Sequence, residues 1–405
     1  MIWSYISLLF CCAFVLSELY IASEISVVAN ADVWFCSVEI KRKFSKTKNI
    51  LNSNLIREYT YNISQKVLNT NSLFVINQKS DNIDYEIEPD HHYQVFNFVS
   101  GHFYHLRSSY VQHSLHIISN RKEIVPIEPK IVSFIHRPSN GRIIGSYEHV
   151  IATGHLYSYN YGHFIGDFLC PLMAMPDEIL QKSYIFGKAR LNFVNEFFKC
   201  LGFEGKYIEA GDREWIYAEN LYVTANPNPH CAHFGPLYKK LGDIIKKSLN
   251  IYDVIPNRYI VANRKSHMRV IHNVENLTKA LQQSFPENKY EIVVDEKMTL
   301  EESAKIFGYA KFMFMVVGSN CFKSLVINPK AVIVLVGTKV YDNSAINVIG
   351  SNGNKIVFYV EPKVEHAGYS YNIFNISMAI KASSIANYYI EHGCFPNDPV
   401  GSVVV

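Results

Sequence analysis

The sequence predicts an α/β protein whose C-terminal half, from about residue 256 to 365, is a doubly wound sheet. Three observations carry this. From Ile143 onward, short β-branched and aromatic runs alternate with runs of helical periodicity, the pattern of βαβ units. "FMFMVVG" (312–318) and "AVIVLVG" (331–337) are continuous apolar strands, as found where both faces of a parallel sheet are covered. "TLEESAKIFGYA" (299–310) places Thr299 three residues before Glu302, a capping box opening an amphipathic helix.

In chain order, "EHVIATGHL" (148–156) reads as a strand and "HFIGDFLCPLMAMPDEIL" (163–180) as a helix that Pro171 and Pro176 interrupt, because proline lacks the N–H a helix interior needs. "SYIFG" (183–187) is a strand, "LNFVNEFFKCLGF" (191–203) an amphipathic helix ending at Gly202, and "KYIEAG" (206–211) and "ENLYVTA" (219–225) are strands. Proline-rich "NPNPH" (226–230) leads to a second series: strand "RYIVANR" (258–264), helix "VENLTKALQQSF" (274–285), strand "YEIVVDE" (290–296), the capped helix and the two apolar strands. "NIFNISMAIKASSIANYYIEHG" (372–393) reads as a closing helix. Residues 24–142 have no clean period and read as α/β or mixed. The expected divisions are 1–31 as a leader, 32–255 as an N-terminal α/β domain, 256–371 as a C-terminal Rossmann-like domain and 372–405 as a closing helix and tail.

The 405 residues, 48% hydrophobic, are enough for two core-bearing domains. A net charge of +3 without any long block of like charge gives no footprint for nucleic acid. The first residues, "MIWSYISLLFCCAFVLSELYIAS", form an apolar run broken only by Glu18 and read as a targeting segment. Ala29-Asn30-Ala31 fits a cleavable signal, whereas the length of the run fits a signal anchor. Either would put the rest of the chain in the lumen of the endoplasmic reticulum or Golgi, as a single-pass type II membrane protein or a soluble one. Sequons at Asn62, Asn276 and Asn375 are compatible with that compartment. Six cysteines outside the leader permit disulfides there but specify no pairing, and no Cys-x-x-Cys occurs.

The chemistry-bearing residues fall into clusters. In a helix, His163 and Asp167 share one face, where the carboxylate would fix the imidazole tautomer of a general base or itself take the proton; the alternative is a satisfied core histidine. Asn160, Tyr161 and Gly162 resemble a tight turn delivering the helix N-terminus, where anions are favoured. "ANRKSHMRVIHN" (262–273) follows a strand and carries Arg264, Lys265 and Arg269, which at the edge of a parallel sheet can clamp a diphosphate. Gly318 permits close backbone approach, and Ser319 and Asn320 can cap the following helix or bind phosphate. The pairs His91/His92, His102/His105, His113/His116 and His230/His233 match no zinc spacing, and no Gly-x-Ser-x-Gly is present. No metal ligand set is expected.

Taken in order, these stretches resemble glycosyltransferase family 61, whose members include lumenal O-linked N-acetylglucosaminyltransferases and plant xylosyltransferases. The family pattern N-Y-x-H-x-x-x-D-x-L-P is here "NYGHFIGDFLCPL" (160–172). The pattern R-K-x-x-x-R-x-x-x-N is met by Arg264, Lys265, Arg269 and Asn273, and "TLEESAKIFGYA" has Ser303 where glutamine is usual. "VVGSNCFKSLVINPKAVIVLV" (316–336) stands for the last motif but lacks its histidine, leaving Val316 or Asn320 there according to the alignment chosen. The likeness covers about residues 145–340.

The resemblance implies a GT-B-like fold, with two Rossmann-like domains facing across a cleft. It also implies an inverting hexosyl- or pentosyltransferase needing no metal and no cofactor, and the absence of an Asp-x-Asp agrees. The co-substrate implied is a nucleotide sugar, in the first instance one carried on uridine diphosphate, and the acceptor a glycoprotein or glycan hydroxyl. His163 and Asp167 would be catalytic, while Asn160, Arg264, Lys265, Arg269, Gly318, Ser319 and Asn320 would hold the donor. The lost histidine implies an alternative, a degenerate nucleotide- or glycan-binding relative. On this reading His163→Ala and Arg264→Ala abolish transfer and leave the thermal midpoint nearly unchanged.

Overall fold

A computed structural model describes residues 25–29, 36–40, 45–47, 55–64, 72–76, 89–113, 115–119, 122–124, 141–154, 157–209, 211, 213–225, 234–265, 268–295, 298–338, 342–366, 371–397 and 401–403. Residues 1–24 of the expected leader and the pair His230/His233 lie outside them, whereas residues 25–29, also counted in the leader, form a strand. The strands are β1 Ile25–Ala29, β2 Cys36–Ile40, β3 Ser45–Thr47, β4 Leu55–Ser64, β5 Leu73–Ile76, β6 Phe98–Gln112, β7 Ile117–Ser119, β8 Lys122–Ile124 and β9 Arg142–Ala152. They continue as β10 Tyr184–Phe186, β11 Tyr207–Ile208, β12 Glu214–Ala225, β13 Arg258–Arg264, β14 Tyr290–Asp295, β15 Ala310–Val316, β16 Val332–Gly337, β17 Lys355–Val360 and β18 Gly401–Val403. With the helices between them they make an α/β protein of two compact units, neither continuous in sequence: residues 1–61, 100–194 and 203–232, and residues 62–99, 195–202 and 233–405. The sequence reading drew its line at residue 256. Packing assigns the units differently because β5, far upstream, pairs with β17 (Leu73 opposite Ile356).

The first unit is built on a mixed sheet rather than a doubly wound one. β11, β10, β9 and β12 run parallel in that order. β12 then pairs antiparallel with β6, and β6, β7 and β8 follow as antiparallel neighbours. The short turn from Gln112 to His116 accounts for the β6–β7 pairing: so few residues can join only antiparallel strands. One face carries Leu106, Val111, Val150, Ile216, Leu221 and Val223, all fully buried, each contributing roughly 1.5–3 kcal/mol through lost contact with water.

The second unit has a seven-stranded sheet in the order β14-β13-β15-β16-β17-β5-β18. All neighbours are parallel except β18, which runs antiparallel to β5. β16 is buried at every residue, as its unbroken apolar run requires. β14 lies on one side of β13 and β15, β16 and β17 continue on the other, so the winding reverses between β13 and β15. Open α/β sheets leave a crevice beyond the strand ends at such a reversal. The helices are those expected: Val274–Ser284, Leu300–Phe307 and Ile376–His392. The Leu300–Phe307 helix carries the full capping box, with Thr299 and Glu302 bonded reciprocally.

A buried polar chain ties this unit together. Lys246, in the Pro236–Ser248 helix, is 1% exposed and its Nζ donates to Asn352 Oδ1 at 2.5 Å. Asn352 donates to Asn354 Oδ1 at 2.7 Å, and Asn354 to the Asn328 carbonyl at 2.7 Å. Burial brings the Lys246 pKa down to about 7, opposed by Asp243 and aided by Lys239. Between that value and the ordinary 10.5 the unfolded chain holds the proton more tightly than the folded one, so the group's contribution to stability rises with pH through this window. Relative to Lys246→Met, the parent is expected to gain on the order of a few kcal/mol between pH 7 and 10, read from urea unfolding at each pH. Parallel curves for the two proteins would show that Lys246 stays charged in the fold.

The clustered histidines go to separate partners: His92 to Asn347 at 2.9 Å, His102 to Glu58 at 3.0 Å and His105 to Asn220 at 2.9 Å. Among the described residues no three His, Cys, Asp or Glu side chains gather as a metal site would require. Cys170, Cys200, Cys321 and Cys394 are free thiols. Asn62, Asn276 and Asn375 are all exposed, and Asn375 caps the Ile376–His392 helix by accepting the Met378 N–H at 3.2 Å. Among the described residues no helix is long and apolar enough to cross a membrane.

Candidate functional site

Two clusters, one in each unit, carry the residues singled out in the sequence. In the first unit Asn160 is an exposed N-cap with extended backbone, though its side chain makes no cap bond. The helix it begins changes pitch: Tyr161–His163 is α, Phe164–Leu169 is π, and Cys170–Leu172 is α again. The Cys170 N–H reaches back five residues to Ile165. This wider turn leaves Pro171 in the first turn of the last α segment, where its missing N–H costs nothing. The helix therefore runs through Pro171 instead of breaking there, a correction to the sequence reading. Pi turns of this kind recur at functional sites.

The π segment is fixed from below. Phe168 packs so closely on Gly187 that a Cβ there would lie 2.5 Å from the ring. The buried Thr153 hydroxyl donates to the Phe168 carbonyl at 3.1 Å. Held this way, His163 Nδ1 and Asp167 Oδ2 meet at 2.8 Å. The carboxylate is 1% exposed and the imidazole 13%, so only the imidazole presents a surface, and Asp167 serves to orient it. The Tyr157 ring stands 5.6 Å from that of His163. Behind them burial drives the Cys170 thiol far above its ordinary pKa, the Asp167 charge adding to the effect.

In the second unit Arg264 is the last residue of β13, at the reversal in strand order. Asn263 staples the loop that follows: its Oδ1 accepts the N–H groups of Arg264 and Ile271, both at 2.9 Å, and its Nδ2 donates to the Ile271 carbonyl at 3.0 Å. Asn273 is held by Phe374, donating to its carbonyl and accepting its N–H, each at 3.0 Å. The loop so pinned brings Arg269 back over the sheet with φ 56, in the left-handed region.

Gly318, just beyond β15, has φ 135, where a side chain would be strained, and a Cβ there would sit 2.9 Å from Arg269 Cζ and 3.1 Å from Arg264 Nη1. Both guanidinium groups thus reach one point above Gly318. Arg269 Nε is buried and has no hydrogen-bond partner among the described residues. Neighbouring cations and an unmet buried donor are what an anion would satisfy. Burial pushes the adjacent Cys321 thiol up to about 12, against the pull of both arginines.

A small, narrow recess adjoins Arg264. Ala262, Phe307, Met313 and Met315 give it apolar lining, while Arg264, Asn320 and Lys323 give it polar groups. Ser303, standing where the family pattern has glutamine, is within 3.3 Å of Lys323 Nζ.

Some expected roles shift. Gly318 itself is the N-cap of the 3₁₀ helix Ser319–Val326, with no side-chain cap bond, so neither Ser319 nor Asn320 caps it. Lys265 is exposed. Sequence reasoning missed Thr153, Tyr157 and Lys323, and also Thr338 and His366, beyond the ends of β16 and β17. Only Thr338 had a signal, since it directly follows a strand of evident parallel type.

A doubly wound sheet with paired arginines at its switch point is an α/β arrangement with the geometry to receive an anionic group. Comparison with known families is more specific: residues 161–334 match the Glycosyltransferase 61 family model, a span that holds His163, Asp167, Arg264, Arg269 and Gly318. No curated protein matches the chain. Two solved structures are weakly similar. One is a metal-soaked Flv1 flavodiiron core from Synechocystis sp. PCC6803, with 8% identity, 44% of each chain covered and a TM-score of 0.24. The other is a mutant flavo di-iron protein from Thermotoga maritima, with 13% identity, 49% of this chain and 48% of that one covered, and a TM-score of 0.25. The chain spans under half the length of either, and similarity at that level carries no argument.

Proposed function

We propose that the chain is an inverting, metal-independent glycosyltransferase of GT-B-like arrangement. It would move a hexose or pentose from a nucleotide sugar, in the first instance a uridine diphosphate sugar, to a protein or glycan hydroxyl in the lumen of the endoplasmic reticulum or Golgi. The observation that carries this is the convergence of Arg264 and Arg269 over Gly318 at the reversal of the parallel sheet, inside the span matched to the family. Both cations would neutralise charge on the diphosphate as its bond to the anomeric carbon breaks. His163 would take the acceptor hydroxyl proton, and the oxygen would attack the anomeric carbon from the side opposite the leaving group, which inverts configuration. Asp167 would hold the imidazole by Nδ1, and Lys265, Ser319 and Asn320 would complete the donor loop.

A second reading has its own observation. The family's last histidine is absent, and its two alternative positions hold Val316, a buried strand residue, and Asn320. This favours a relative that binds nucleotide or glycan without turnover. A panel of nucleotide sugars offered to the full chain, with chelator present and acceptor mixtures added, separates the two. Thermal shift with release of nucleoside diphosphate from one donor supports the transferase and identifies its sugar. Shift without release selects the binder, and no shift with any nucleotide would sink both.

A further inference from the structure

The loops leaving this sheet edge carry one more polar group that no motif marked. β15, β16 and β17 end in step: the Val317 N–H donates to the Val336 carbonyl and the Glu361 N–H to the Gly337 carbonyl, each at 3.0 Å. The residues just past these ends are Gly318, Thr338 and the Glu361–Val364 turn, with His366 two residues beyond it. Thr338 is fully buried, and its hydroxyl lies 3.0 Å from His366 Nδ1. The imidazole is thereby tethered to the rim of the sheet, and among the described residues its Nε2 has no hydrogen bond. Arg269 reaches the same rim from the loop after β13. Burial, then Arg269, holds the His366 pKa below its ordinary value, while Asp342, the cap of the Asn343–Ser351 helix, opposes them.

We propose that His366 is a third donor to the diphosphate held by Arg264 and Arg269, giving its Nε2–H to a phosphate oxygen and taking up a proton as the anion binds. The inference rests on the phosphate-binding reading of this edge. Thr338 suits both states of the ring: its hydroxyl can donate to Nδ1 of a neutral ring protonated on Nε2, and can accept from Nδ1–H of the charged ring, so Nε2–H is available in each. Arg269 and Asp342 are the charges from neighbouring elements that act on the ring, and Glu365 precedes it in the chain. An arriving diphosphate adds negative charge beside His366 and so favours its cationic form.

The test is calorimetric titration of the full-length protein with uridine diphosphate at pH 8 and pH 6. His366→Gln keeps an amide that can bond to Thr338 but cannot titrate. The parent-to-variant affinity ratio is expected to grow roughly tenfold from pH 8 to pH 6, the size of a charge-assisted hydrogen bond. His366→Ala, which removes the donor altogether, should weaken binding at both values. Equal pH profiles for parent and His366→Gln, with the parent binding normally, would overturn the role of His366 and leave the arginine site standing. No binding by the parent at either pH would overturn the diphosphate site and the proposed function with it.

Discussion

Arg269→Gly is expected to weaken uridine diphosphate binding about a hundredfold and to leave the thermal midpoint of the unliganded protein unchanged or slightly raised. The loss of affinity follows from removing one of two guanidinium groups that converge over Gly318, since charge-assisted hydrogen bonds are worth about 1.5–3 kcal/mol each. Stability moves the other way because of the backbone. Arg269 sits at φ 56, a conformation costing a non-glycine residue roughly 1 kcal/mol, and glycine removes that cost while adding unfolded-state entropy of similar size. Removal of a buried donor without a partner and of one of two neighbouring like charges tips the balance toward the variant. The loop does not depend on the side chain, because Asn263 already closes it with three hydrogen bonds. Calorimetry and thermal melting together decide the matter. A drop of several degrees with binding intact would make Arg269 a structural brace.

His163→Gln is expected to lower turnover by about 10²–10⁴, the range for loss of a general base, with a midpoint close to the parent's. The structure changes which substitution is informative. His163→Ala takes the imidazole hydrogen bond from a carboxylate that is 1% exposed, and losing a hydrogen bond to a buried charged group costs about 1.5–3 kcal/mol. The unchanged midpoint that the sequence suggested for the alanine variant is therefore not expected. Glutamine can still donate to Asp167 but cannot accept a proton near neutral pH. Turnover surviving in His163→Gln would remove His163 from the chemistry and return it to the core.

The elements and motifs of the second unit were largely legible because their signals are local. β13 spans the stretch read as "RYIVANR", and the Thr299/Glu302 box caps the helix it announced. The spacing of His163 and Asp167 was enough to predict their contact, which the π turn preserves. The π turn itself was not legible, since Pro171 reads as a breaker until the wider pitch supplies a position needing no N–H. Nor was the assignment of β5 to the second sheet, because pairing between residues nearly three hundred positions apart leaves no mark on periodicity.

What the sequence by itself determined is the α/β class, the strand and helix types from residue 143 onward, and the residues able to carry phosphate and proton chemistry. Those follow from side-chain spacing, capping and turn residues, which act within a few positions. Tertiary structure alone decided the reversal of strand order between β13 and β15, the meeting of Arg264, Arg269 and Gly318, and the arrival of His366 at the same edge. Each of these depends on which strands lie side by side, and that is set by packing across the whole sheet.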